Sequence, residues 1–366
     1  MNADDLRAHI PAASRWTWLN HAGFSPVPDT AVERGRWALQ AQADDALAAI
    51  PELEREAERV RRRCAALVGV GPDELTFVRN TSHGLSLVAA GLDWRDGDVV
   101  LCATDEEYPS NVYPWARLAP RGVTLRSVPS PGGRVEVDAF AAAGCARTRL
   151  VTVSSVQYAT GWRTDLAALG QLCRDRGWLL CVDAIQSLGA IPLDASACGV
   201  HFVAADAHKW MLGPAGIGVL AVARGAPVDP VIVGWKSTKE ALNFDQVKLD
   251  LREDAARFEE GTPSYAAIAA MGASMDLLLE YGVDAIWGRI GELGAALRGH
   301  LSRRGEGVLE WPAAHRSGAV FFTPRDGTAA ERAAALAARG VHVAVRRGRV
   351  RVSPHAYNTV DELFQV

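Results

Sequence analysis

Lys209 stands just past a short apolar run, His201 to Ala205, within Asp206-Ala207-His208-Lys209-Trp210-Met211-Leu212-Gly213-Pro214. The run reads as a buried strand bounded by turn signals. A lysine at such a point is desolvated on its strand side and reachable from a cleft on the other. Burial disfavours the ammonium form and lowers the pKa, and a neutral amine is what imine chemistry needs. The plain alternative is a solvated lysine in a loop between strands, against which Trp210, Met211 and Leu212 follow at once. Upstream, a second apolar run from Trp178 to Val182 ends in Asp183 and continues as Ala184-Ile185-Gln186. Functional groups gather at the carboxyl ends of strands in parallel sheets, so Asp183 and Lys209 are expected at one edge.

Two further stretches carry anion-binding chemistry. Leu75–Val78 is a short predicted strand that runs into Arg79-Asn80-Thr81-Ser82-His83-Gly84 and then a helical pattern. Small hydroxyl residues at a strand-to-helix turn bring free N–H groups and the positive helix end to one spot, which suits a phosphate; an ordinary N-cap is the alternative. Near the end, alternation in Arg349-Val350-Arg351-Val352-Ser353 puts Arg349 and Arg351 on one face. A guanidinium grips a carboxylate through two parallel hydrogen bonds, although Arg346, Arg347 and Arg349 nearby also read as surface charge. The run Gly213-Pro214-Ala215-Gly216-Ile217-Gly218 precedes a strand, whereas a dinucleotide fingerprint must open a helix.

The elements that must position these residues alternate between strand and helix. Strands are predicted at 75–78, 99–102, 123–128, 150–154 and 179–183, with helices near 139–144 and 165–177 between them. That alternation argues a mostly parallel sheet with helices on both faces. Ile217–Val222 returns after too short a turn for a crossover and is expected antiparallel. Beyond Arg224 the pattern changes. The expected organisation is an N-terminal arm over 1–30, a large domain over 31–265, and a linking helix with a small C-terminal domain over 266–366. Arg349–Thr359 is read as the last strand.

Asp183-Ala184-Ile185-Gln186-Ser187 together with His208-Lys209-Trp210-Met211-Leu212-Gly213-Pro214 resembles the class V aminotransferase family, which includes cysteine desulfurases and isopenicillin N epimerase-like enzymes. The resemblance implies the aspartate aminotransferase-like fold type I, an α/β architecture with a mostly parallel seven-stranded sheet and a smaller C-terminal α/β domain. It also implies pyridoxal 5'-phosphate (PLP) as cofactor, carried by Lys209. Asp183 then faces the pyridine nitrogen, Gln186 the phenolic oxygen, and His208 the phosphate, with Thr81, Ser82 and the His83 amide as the phosphate cup. Tyr108 matches a ring-stacking position, with a core aromatic as its alternative. Thr262 in Gly261-Thr262-Pro263 matches a threonine that reaches the neighbouring protomer's phosphate, which implies a homodimer; a simple helix cap is the alternative. Arg351 matches the carboxylate-binding arginine in R-x-S-x-x-x-Y-N-T. Asn20 and His21 fall on a segment that runs along the cleft edge, or else pack an arm on a neighbour. Where relatives often carry an asparagine this chain has Gln157 and Tyr158, so Tyr158 is counted with the substrate contacts.

These assignments support Cα deprotonation of an α-amino acid, with Lys209, Asp183 and Tyr108 as the catalytic group. Desulfurases of the family carry a nucleophilic cysteine shortly before the final arginine, whereas no cysteine follows Cys198 here. The expected reaction is therefore β-elimination of the C–S lyase type, with aminotransferase or epimerase as alternatives and a non-catalytic relative as the outlying one.

Bulk properties exclude other classes. Thirty-nine Lys and Arg against 43 Asp and Glu give a net charge of −4, so neither nucleic acid nor an anionic membrane surface has electrostatic support. No segment approaches the ~20 apolar residues of a membrane span, and the six cysteines form no C-x-x-C pair. A reduced, cytoplasmic protein without a metal site is expected.

Overall fold

The structure, a computed structural model, describes residues 1–245 and 247–366. Its centre is a seven-stranded sheet in the order Leu75–Val78, Gly218–Val222, Phe202–Asp206, Leu179–Asp183, Thr148–Ser154, Val99–Cys102, Thr124–Ser127. Gly218–Val222 is antiparallel to both neighbours and every other pairing is parallel. The carboxyl ends of six strands therefore meet along one edge.

Both sheet faces are covered. Val203 and Ala205 join one apolar cluster while Phe202 and Ala204, one residue out of step, join another. This two-sided burial explains why the strands read as unbroken apolar runs instead of alternating ones. On one face the Thr81–Gly91 helix packs closely, because a Cβ on Gly84 would lie 3.1 Å from the Ala204 Cβ. Its first turn is thereby held against the strand that leads to Lys209.

A second, antiparallel sheet runs in the order Ala344–Arg346, Arg349–Val352, Val320–Thr323, Gly307–Val308. It packs with Leu293, Leu297 and Leu301 of the Val283–Arg303 helix in a core of its own. The N-terminal arm joins this unit: Thr17–Trp18 pairs with Val341–His342, and Asn20 bridges to Ser353.

The last strand is shorter than expected. It ends at Val352, and 353–358 turn back as buried irregular chain, since Pro354 has no N–H to give to a ladder. The Ala3–Ala8 and Val283–Arg303 helices had no counterpart in the sequence reading. Among the described residues no single helix is long and apolar enough to cross a membrane.

Candidate active site

Asp183 and Lys209 line the same cleft at the carboxyl edge of the large sheet. Asp183 closes its strand, is buried, and accepts a hydrogen bond from the Ile185 amide at 3.0 Å. Burial pushes its carboxyl well up from the ordinary range, against the Ile185 amide, with the buried Glu107 adding to the rise. Lys209 follows the Phe202–Asp206 strand in a turn closed by the Leu212 N–H to its carbonyl, 3.0 Å. Leu212 is left-handed at φ 55°, and its carbonyl accepts from Ser274 Oγ at 3.0 Å. Burial lowers the Lys209 pKa; Asp183 opposes this, and Arg351 and Arg346 reinforce it. The pair is thus an amine poised to lose its proton beside a carboxyl poised to keep one.

Arg351 supplies the opposite wall. It is 1 % exposed, its Nη1 donates to the Tyr158 carbonyl at 3.2 Å and its Nη2 to Asn20 Oδ1 at 3.3 Å. Its Nε has no partner. Burial, and then Arg346, push this guanidinium down to about 9. A buried cation with neutral acceptors only is a receptor for an anion. Tyr108 lines the cleft with its ring centroid 5.9 Å from Lys209 Nζ and 5.1 Å from the Tyr158 ring. At 49 % exposure it is not a core aromatic.

Fewer of the residues expected to form an anion cup are free to do so than the sequence suggests. Thr81 and Ser82 line the cleft at the start of an eleven-residue helix, and the buried Thr81 Oγ1 has no partner. The His83 N–H, in contrast, donates to Asn80 Oδ1 at 2.9 Å, and the ring Nδ1 accepts from the Arg79 N–H at 3.3 Å. The helix cap has taken this amide, which corrects its assignment to the cup. His208 does line the cleft; its Nδ1 lies 3.0 Å from Asp206 Oδ1 without the alignment of a hydrogen bond.

One other assignment changes. His21 does not reach the cleft: it is fully buried, with Nδ1 2.9 Å from the Ser353 carbonyl and Nε2 2.8 Å from the Tyr357 hydroxyl. Its neighbours Ala22 and Gly23 line the cleft instead, and Asn20 takes part through Arg351. Gln186 faces the cleft but already donates to the Ala22 carbonyl at 3.1 Å and accepts from Trp210 Nε1 at 3.4 Å. One amide N–H is left to it. Thr262 is exposed and lines a separate hollow with Arg79 and His83, away from Lys209.

The sequence reading missed the acids before Tyr108. Glu107 is buried and accepts from the Ser154 N–H (2.7 Å), the Gln157 amide (2.7 Å), the Asn111 amide (2.9 Å) and the Ser154 hydroxyl. This engages Gln157 behind the cleft and leaves Tyr158 as the side chain facing it. Glu106 holds Arg347 at 2.7 and 2.8 Å. The signal was present as three consecutive acids after a strand end, Thr104-Asp105-Glu106-Glu107.

The family model for aminotransferase class-V matches residues 18–363. The chain belongs to this family. Among class-V relatives, a probable cysteine desulfurase of Methanothermobacter thermautotrophicus is 31% identical over 303 residues, covering 78% of this chain and 72% of the relative. An uncharacterized aminotransferase, YcbU, of Bacillus subtilis is 29% identical over 314 residues, 85% of this chain and 82% of its own length. The solved structure of the cystine C-S lyase C-DES with its product cysteine persulfide superposes at a TM-score of 0.90, with 25% identity and 97% coverage of each chain. A C-DES variant with glycine covalently linked to its PLP cofactor superposes at 0.91 over 98% of this chain and 96% of that one, also at 25% identity. An apo cysteine desulfurase from Thermococcus onnurineus shares the fold at 0.89 and 24% identity, over 99% and 96% of the two chains.

Proposed function

We propose that this class-V chain is a PLP-dependent lyase that removes a β-substituent, most simply a thiol, from an α-amino acid. The observation that carries the proposal is the buried Asp183 and half-buried Lys209 sharing one cleft with the Arg351 guanidinium, which no carboxylate answers. The residues fit the cofactor: Thr81 Oγ1, an orphaned buried hydroxyl at a helix start, and His208 suit a phosphate. Asp183 suits a protonated ring nitrogen, the spare Gln186 N–H a phenolate, and Tyr108 a ring face. When bound, PLP supplies an aldehyde that condenses with amines and a ring that accepts the electron pair released at Cα.

The chain's own residues supply the rest. Arg351 binds the α-carboxylate, with the Asn20 side chain and the Tyr158 carbonyl holding the guanidinium in place. Lys209 Nζ, neutral below the ordinary lysine value of 10.5, takes the Cα proton. Asp183, its pKa raised by burial, returns to the charged form when a cation faces it. The Cα–H pair becomes a Cα=Cβ bond, the Cβ–S bond breaks, and the thiolate leaves with its electrons. Water then releases the nitrogen, giving a 2-oxo acid, ammonia and a thiol.

The absence of any cysteine after Cys198 supports elimination over persulfide formation on the enzyme. Thr262, exposed outside this cleft, fits a role toward a second copy, so we read the protein as a homodimer with shared sites. A panel of S-substituted cysteines, assayed for pyruvate and ammonia, tests the reaction. Equimolar pyruvate, ammonia and thiol are expected. Amino transfer to a 2-oxo acid, or loss of optical purity without pyruvate, would assign the chain to transamination or epimerisation instead.

A further inference from the structure

Arg346 ends the short Ala344–Arg346 strand and lines the cleft beside Arg351. The antiparallel register opposes Arg346 to Arg349 and Ala344 to Arg351, so all four side chains leave one sheet face. Arg346 and Arg351 are diagonal neighbours, which sets their anchors about 7–8 Å apart. Arg346 donates to its neighbour's Val345 carbonyl at 2.8 Å and, among the described residues, has no carboxylate within salt-bridge distance.

The next residue shows that this is not general surface charge. Arg347 and Gly348 are both left-handed, φ 46° and 74°, and form the two-residue turn of the hairpin. A left-handed arginine is uncommon, and here the buried Glu106 holds it, with the Asp105 carbonyl accepting a further bond. Glu106 lies two residues before Tyr108, so the clamp ties the hairpin to the loop of the facing wall. Arg347 is neutralised and Arg346 is left as a fixed cation over the cleft. The cup at Thr81 and Ser82 belongs to the large sheet, whereas Arg346 belongs to the small one with Arg351.

We propose that the substrate carries a second anionic group on its β-substituent, and that Arg346 receives it while Arg351 holds the α-carboxylate. This rests on reading the cleft as an amino-acid site. It narrows the substrates to β-substituted amino acids with a distal carboxylate or sulfonate. Elimination from S-carboxymethylcysteine then yields pyruvate, ammonia and thioglycolate; the matched neutral substrate, S-ethylcysteine, yields ethanethiol.

The test compares kcat/KM for these two compounds in the PLP-loaded wild type, Arg346→Gln, Arg346→Lys and Arg351→Gln. The wild type is expected to prefer the anionic substrate. Arg346→Gln should lower that preference roughly tenfold or more through KM, the range for losing a charge-assisted contact. Arg346→Lys should restore part of it, and Arg351→Gln should weaken both substrates alike. Calorimetric titration of the loaded protein with succinate and with butyrate gives a readout without turnover: succinate should bind more tightly, and Arg346→Gln should erase the difference. Equal preference in the wild type, or equal losses for both substrates in Arg346→Gln, would overturn the assignment. Failure to take up PLP would instead strike the cofactor reading, and the same titration repeated on the unloaded protein still tests Arg346.

Discussion

Arg351 is the residue whose surroundings make the plainest demand. A guanidinium removed from water and answered only by the Tyr158 carbonyl and the Asn20 side chain is costly unless an anion completes it. Arg351→Gln should raise KM for an α-amino acid by about 2–5 kcal/mol of lost binding, the scale for unpairing a desolvated charge, with kcat changed less. Steady-state kinetics on the substrate used in the panel checks this; a fall in kcat at constant KM would remove Arg351 from substrate binding. Lys209, Asp183 and Arg351 were all legible in the sequence, because each terminates or sits on an apolar run where a charged residue needs a reason. The His83 amide was misread because the competing acceptor, Asn80, is visible only as cap geometry. His21 was misread because nothing local marks it as buried between Ser353 and Tyr357, more than three hundred residues away.

At the scale of elements, three helices are clasped by one buried acid. Glu56 on the Ile50–Val68 helix binds Arg34 of the Asp29–Asp45 helix at 3.0 Å and Arg59 at 2.8 Å. Arg59 also reaches Asp276 of the Tyr265–Tyr281 helix at 2.8 Å. Burial alone would raise the Glu56 pKa, but the hydrogen bonds from Arg59 and Arg34 outweigh it and hold the group down at about 2 from 4.5. A carboxyl whose folded pKa is depressed adds stability above its unfolded value, and that stability is lost as pH falls through the folded one. Thermal melts should therefore show Tm falling from pH 4.5 toward 2, and Glu56→Gln should flatten that part of the profile. An unchanged acid limb in the variant would remove Glu56 as its source. The large-sheet strands were readable because both faces are apolar. The 353–358 segment was not, because its burial is produced by the arm folded over it and not by its own periodicity.

At the scale of the whole molecule, the cleft is assembled from the large sheet, the small sheet and the arm, so it gathers short stretches that lie far apart in the sequence. Thr262 marks what one chain leaves open: it is exposed, in a hollow beside the helix whose first turn is the proposed anion cup. A second copy brought to that hollow completes the proposed arrangement. Light scattering should give a particle of two 39.2 kDa chains, and activity should fall when dilution separates them. A fully active monomer would leave Thr262 without a part in the site.

The central claim is that Lys209 is the amine that carries the cofactor. Borohydride reduction of the PLP-loaded protein, followed by peptide mass mapping, reads this directly. A pyridoxyl group on the Lys209 peptide, lost in Lys209→Ala, is the result the account predicts. A label on a different lysine, or uptake of PLP with no lysine labelled at all, would contradict it.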